Sequence, residues 1–189
     1  MTVDDTITVK GSPVRAMQKF CEAELDVSQR NTLYDTVPEL GGRMRGPILP
    51  TETIPVTALN RLTVEAARIK GEPLEQFARR AGHEAAAEAV RGIYRFFALV
   101  LTPPALLGKA SQMWSAIYSC GRMQVLEQSE RSATIALFDF PSEVAGCSRV
   151  TGWIERMAGM TGARNVQIEQ TQCYATGGPH CEWHLTWER

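Results

Sequence analysis

Three of the five cysteines, Cys147, Cys173 and Cys181, stand 26 and then 8 residues apart. Thiolates are nucleophiles and zinc ligands, so three that converge can form a metal site, whose usual shell is four ligands of Cys, His or carboxylate type. The alternative is plain packing, since buried free cysteines are ordinary small core residues. Both readings require the chain to bring the sulfurs together.

The elements around them can do so. Val144, Cys147, Thr151, Ile154 and Met157 repeat at helical spacing, and Gly162 closes that stretch. A strand then ends at Cys173, a Gly/Pro turn follows, and a second strand opens at Cys181 and closes at Trp187. Cys173 and Cys181 are equidistant from Gly177, so across a symmetric hairpin their Cα atoms face each other at ~4.5–5.5 Å.

Parity raises a conflict. Cys181, Trp183, Leu185 and Trp187 form one apolar face, whereas the partner strand places Val166 and Ile168, but not Cys173, on the matching face. One extra residue, a bulge at Thr171 or Gln172, restores Cys173 to that face. A fourth metal ligand is not evident. Gln170 is best placed but carries an amide, Glu169 points the other way, and His180 precedes Cys181 directly.

These residues resemble a family. The runs CSRVTGWIE starting at Cys147, VQIEQTQC ending at Cys173 and GGPHCEW starting at Gly177 are similar to the 4-vinyl-reductase-like domain, over about residues 115–187. The cysteine spacing also resembles the sensor domains of phenol-responsive transcription activators, and a subunit type of vesicle-tethering complexes is related. Pro103-Pro104 before a Trp-bearing helix and the Trp187-Glu188-Arg189 ending look like the stand-alone paralogues of myxobacteria, which have no assigned activity. The resemblance implies zinc held by Cys147, Cys173, Cys181 and a Glu three residues before the second cysteine. This chain has Gln170 there. It also implies a homodimer paired through helices.

Other residues carry weaker signals. His83 beside Glu84 and Glu88 can do acid–base work or sit on a solvated face. Tyr94, Phe97, Trp114, Tyr118 and Trp153 can line an apolar ligand pocket, with Arg95 among its polar groups, or simply pack a core. No Gly-x-Ser-x-Gly elbow and no phosphate-cradling glycine loop appears.

The rest of the chain reads as scaffold. At 189 residues, 44% apolar and 22% charged, it has the size and composition of one globular domain. A net charge of −1 gives nucleic-acid binding no electrostatic support. No secretory leader is visible, and the most apolar run, residues 93–101, falls short of a membrane span. Reduced thiols in the cytoplasm follow as the expectation.

Residues 1–11 read as a flexible tail or an edge strand, and residues 12–189 as a single domain. Helices are expected from Ser12-Pro13, over residues 56–69, from Glu72-Pro73, and as one piece from Pro103 through Ile117. Residues 38–55, rich in Pro and Gly, read as an irregular connection that can act as a flap. From Gly121 the period changes to strands. The order predicts an α+β fold: a four-stranded antiparallel sheet with helices on one face and a helical N-terminal half.

The function expected is non-catalytic: binding a small apolar ligand and reporting it through a protein partner or a second copy of the chain. The alternatives are a scaffold or assembly subunit without a ligand, and a component of a porphyrin vinyl reductase.

Overall fold

The structure, a computed structural model, describes residues 5–91 and 102–188. Strand β1 (Thr8–Lys10) leads into α1 (Gly11–Glu24), α2 (Val27–Thr36) and α3 (Pro38–Met44). Strand β2 (Thr53–Pro55) precedes α4 (Val56–Lys70) and α5 (Leu74–Arg91). Helices α6 (Pro103–Leu107) and α7 (Ala110–Ile117) then reach the hairpin β3 (Arg122–Gln128) and β4 (Ser132–Phe138). Helix α8 (Val144–Met160) and the second hairpin, β5 (Arg164–Gln172) and β6 (Cys181–Glu188), complete the chain.

The sheet runs β3-β4-β6-β5, antiparallel throughout, so the α+β expectation holds. Its alternation follows from burial. Cys181, Trp183, Leu185 and Trp187 of β6 and Ile135 and Leu137 of β4 are buried, while the residues between them on β6 are not. Helix α8 covers this face with Cys147, Thr151, Ile154 and Ala158. The Trp183 indole N–H donates to Thr151 Oγ1 at 2.7 Å, which gives a fully buried ring a partner for its one polar group.

Strand β5 carries the bulge that parity demands. Gln170 pairs with Trp183 and Gln172 with Glu182, so Thr171 is the extra residue. Its hydroxyl turns outward to Glu182 Oε1 at 2.7 Å.

Several local expectations are corrected. Of the two readings of residues 1–11, a tail or an edge strand, Thr8–Lys10 takes the strand: it pairs with Thr53–Pro55, and Val9 and Ile54 are both core residues. Residues 38–44 are helical, not irregular. Gly41 is there for closeness rather than for breaking the helix: a Cβ on it would stand 1.7 Å from the Tyr34 carbonyl oxygen. The helix expected from Pro103 to Ile117 divides at Gly108 and Lys109 into α6 and α7. The expected continuation of α5 through Phe96 lies outside the described residues.

Capping is conventional where it is strong. Asp26 and Gln29 form a reciprocal capping box at α2, and Gly71 ends α4 at φ +74°. Helices α5 and α8 lie closely against each other. Small residues allow it, since a Cβ on Gly82 would stand 2.1 Å from the Arg149 carbonyl oxygen and one on Gly152 would stand 2.0 Å from that of Arg79. Among the described residues no helix is long and apolar enough to cross a membrane.

Candidate functional site

The three cysteines gather. Cys147 Sγ lies 3.4 Å from Cys181 Sγ and 3.4 Å from Cys173 Sγ, and all three sulfurs fall within 4.8 Å of one another. Their arrangement follows from the elements: α8 lays Cys147 on the sheet, and the Thr171 bulge turns Cys173 to meet it. The Cys147 thiol donates to Cys181 and lowers it from its ordinary 9.0 to about 6; the Tyr174 N–H adds a further bond at 3.4 Å. Cys147 is pushed up by the same contact and by burial, so it keeps its proton. Gln170, which takes the place of the fourth ligand, donates instead to the Gln172 carbonyl oxygen at 3.2 Å. No His, Asp or Glu joins the three sulfurs among the described residues.

A second feature is larger. A cavity of about 550 Å³ lies between α1, α4, α5, α7 and α8. Its apolar wall includes Met17, Leu59, Ala81, Ala85, Met113, Ile117, Met123 and Val150, together with the rings of Trp114, Tyr118 and Trp153. A wider groove of about 930 Å³ opens to solvent between α4, the start of α8 and the turn at residues 174–178. Being open, it encloses a small molecule less well than the inner cavity does.

The aromatic edge is built by stacking and by a glycine turn. Trp114 and Tyr118 stack at 4.0 Å, with Phe140 edge-on to both. The Trp114 indole N–H donates to the Cys120 carbonyl oxygen at 2.8 Å. Gly121, at φ +84°, makes room: a Cβ there would stand 2.8 Å from the Phe140 side chain. Of the five residues read as pocket candidates, Trp114, Tyr118 and Trp153 border this cavity. Tyr94 and Phe97, like Arg95, lie outside the described residues.

The polar groups facing the cavity include one that sequence reasoning missed. Arg149 of α8 borders it and keeps some exposed surface although protein surrounds it, as a side chain facing an internal space does. Its guanidinium donates to Thr63 Oγ1 and to Asn60 Oδ1, each at 2.6 Å. Asn60 Nδ2 in turn donates to Glu143 Oε2 at 2.7 Å. Burial pulls Arg149 below its ordinary value and pushes the Tyr118 phenol up. On the opposite side Glu88 takes a hydrogen bond from Lys19, and Arg15 approaches it at 3.9 Å.

His83 does not work with Glu84 or Glu88. It pairs with Glu155 of α8 at 2.7 Å, alongside Arg79 at 2.9 Å. Burial pushes Glu155 up, but the hydrogen bonds from Arg79 and His83 outweigh it, and the net shift is downward. The group is a helix–helix clamp between α5 and α8. His184 bonds Thr134 Oγ1 at 3.2 Å on the outer face of the sheet, and His180 lies against the Phe138 ring at 4.6 Å.

No family model matches the chain, and no curated protein does. Solved structures do. An H-NOX protein from S. oneidensis, in the Fe(II)NO ligation state, is 14% identical with a TM-score of 0.74, over 95% of this chain and 99% of that one. An oxygen-binding H-NOX domain related to soluble guanylate cyclases is 12% identical with a TM-score of 0.71, over 95% of each chain. A protein in which heme redox potential is modulated through porphyrin distortion is 12% identical with a TM-score of 0.69, over 94% of this chain and 99% of that one. At such identity the likeness speaks for the fold, and the fold is that of H-NOX domains.

Two expectations fall with this finding. The 4-vinyl-reductase-like resemblance is not the one the whole chain carries: the structures that match are H-NOX domains. The motif behind it is local, a helix lying on a bulged hairpin around three sulfurs, and it leaves the helical half untested. Zinc falls as well. The three thiolates suggested it by their chemistry, and the resemblance added a fourth ligand. Among the described residues no fourth ligand joins the sulfurs, and the structures that share the fold are H-NOX domains and a protein described by its heme.

Whether this chain suits an iron porphyrin depends on its donors. Haem iron is held by imidazole, thiolate, thioether or phenolate side chains. All three histidines of the chain are placed elsewhere, as described above, and no cysteine borders the cavity. Among the described residues the thioethers of Met17, Met113 and Met123 and the Tyr118 phenol remain, and burial disfavours the phenolate. The walls are mostly apolar, but the donors do not fit an iron held by a nitrogen or a thiolate.

Proposed function

We propose that this chain is a non-catalytic sensory domain that holds a small molecule in the cavity between α1, α4, α5, α7 and α8 and signals its presence through a protein contact. The carrying observation is the cavity itself: about 550 Å³, inside the ~300–1,000 Å³ range of ligand sites, with rings, thioethers and a few convergent polar groups on its wall. The fold supports the reading, because H-NOX proteins of the same architecture are described as binding oxygen or nitric oxide.

The ligand site adjoins a close helix contact. Arg149, Val150 and Trp153 face the cavity from α8, while Gly82 and Gly152 lock α8 to α5. A ligand that pushes on Trp153 therefore pushes on that crossing. The partner that reads the change is a protein surface, either another chain or a second copy of this one.

Native mass spectrometry of the purified full-length chain tests the reading, together with quenching of tryptophan emission by an apolar fluorescent probe. An organic adduct, or saturable quenching from Trp114 and Trp153, supports it. A bare chain mass combined with no saturable quenching overturns it. Titration with hemin tests the donor argument separately: a spectrum of histidine-ligated haem would sink it.

A further inference from the structure

Buried charges in proteins are normally paired with opposite charges. Among the described residues no carboxylate is hydrogen-bonded to Arg149: its guanidinium donates to neutral oxygens, on Thr63 and Asn60. The nearest carboxylate in this network, Glu143, reaches it only through the Asn60 amide. A guanidinium has five N–H donors, and two of these bonds hold it in place with its open surface on the cavity.

We infer that Arg149 is the anchor for the carboxylate of an apolar, singly charged organic acid, whose body lies among Trp114, Trp153, Met113 and Met123. The inference rests on the cavity being a ligand site, and it goes further by naming the ligand's chemistry. Thr63 and Asn60 fix the guanidinium before the ligand arrives, so little side-chain freedom is lost on binding. The Tyr118 phenol borders the same space as a neutral donor.

Other charge states suit the site less well. Glu88 also borders the cavity, but Lys19 bonds it and Arg15 approaches it, so its charge is already compensated. Arg149 is left as the cation without a carboxylate on it, which suits one negative group better than a diacid or a phosphate ester. A neutral ligand would leave the cation without a counter-charge in a poorly solvated space. The carboxylate is also the planar acceptor that a guanidinium binds best.

Calorimetric titration of the full-length chain with decanoate and with 1-decanol tests this. The two probes share a tail and differ in the head group. Decanoate should bind about tenfold or more tightly than the alcohol, the gain expected of a charge-assisted contact. In Arg149→Met that gap should close through loss of decanoate binding, and Arg149→Lys should keep part of it. Equal affinities in the unaltered chain overturn the inference while leaving the cavity reading standing. A gap that persists in a folded Arg149→Met overturns it too. If neither probe binds, the inference fails, and the cavity reading is decided by the adduct and quenching measurements above. The comparison in the unaltered chain decides the matter even where the variant does not fold.

Discussion

Gly82 of α5 touches Arg149 of α8 backbone to backbone: a methyl group on the glycine would lie 2.1 Å from the Arg149 carbonyl oxygen. The contact sets how deeply α8 can sink towards α5, and therefore where the Arg149 side chain meets the cavity. Gly152 repeats the relation against Arg79 one turn further on. About one turn beyond Gly152, Glu155 binds both Arg79 and His83. Fold and site share one joint.

Substituting that joint should be costly. Gly82→Ala and Gly152→Ala each gain helix propensity but force the helix backbones apart, and overpacking of this kind costs ~1–3 kcal/mol. In a chain of this size the melting temperature should fall by ~2–4 °C for each kcal/mol. Gly159→Ala, on the same helix with nothing within 4 Å of its would-be Cβ, should instead stabilise by ~0.5–1 kcal/mol. Urea denaturation of the three variants checks this. Equal shifts in all three would mean that the crossing is not tight.

The Trp183–Thr151 bond ties the sheet to α8. Thr151→Val keeps the shape of the side chain and removes the acceptor, leaving a fully buried indole N–H without a partner. The expected loss is ~1–3 kcal/mol. Thr161→Val provides the contrast: its hydroxyl only donates back to the Ala158 carbonyl oxygen in the last turn, and it should cost well under half as much.

Much of the sheet was legible in the sequence. Alternation over residues 181–187 and the symmetry of Cys173 and Cys181 about Gly177 are local signals, and even the Thr171 bulge follows from a conflict of parity within one strand. Residues 38–44 were not legible, because Gly41 is a close-contact residue, and its neighbour Tyr34 cannot be inferred from a run of Pro and Gly. Arg149 was missed for a related reason. On α8 it reads as one charge among several, and its meaning comes from Asn60 and Thr63, 89 and 86 residues away. The available clue was Asn60 itself, a polar residue inside the apolar stripe of Leu59 and Leu62. The family reading failed because a motif covering about seventy residues was extended to a whole chain.

The cysteine cluster should make stability depend on pH. Cys181 has a folded value of about 6 against an ordinary 9.0. Between these the unfolded chain binds more protons at this site, so its contribution rises with pH and is lost as pH falls through about 6. Cys147 is shifted the other way: its contribution is complete below the ordinary thiol value and declines as pH rises above it. The pair together should give stability that climbs from pH 6 towards 9 and falls beyond. Chemical denaturation across that range, under reducing conditions, should show the climb, and Cys181→Ala should flatten it. A climb that survives in Cys181→Ala would place its origin elsewhere.

The Asn60 bridge yields the prediction that separates holding Arg149 from using it. Asn60 accepts from Arg149 and donates to Glu143, both at short distances, and it is 2% exposed. Asn60→Leu removes both bonds at similar volume. It should destabilise by ~2–4 kcal/mol, because a cation and a carboxylate each lose a partner away from bulk water. Thr63→Val removes only one acceptor from Arg149 and should cost ~1–2 kcal/mol. With Glu143→Gln the Asn60 contact survives with a neutral acceptor, so the fold should hold while the only carboxylate in the network disappears. Arg149 is then less screened, and decanoate should bind more tightly than in the unaltered chain, by about twofold to tenfold for a charge one residue removed. Weaker binding of decanoate in Glu143→Gln at unchanged stability would mean that the Arg149 charge does not face the ligand.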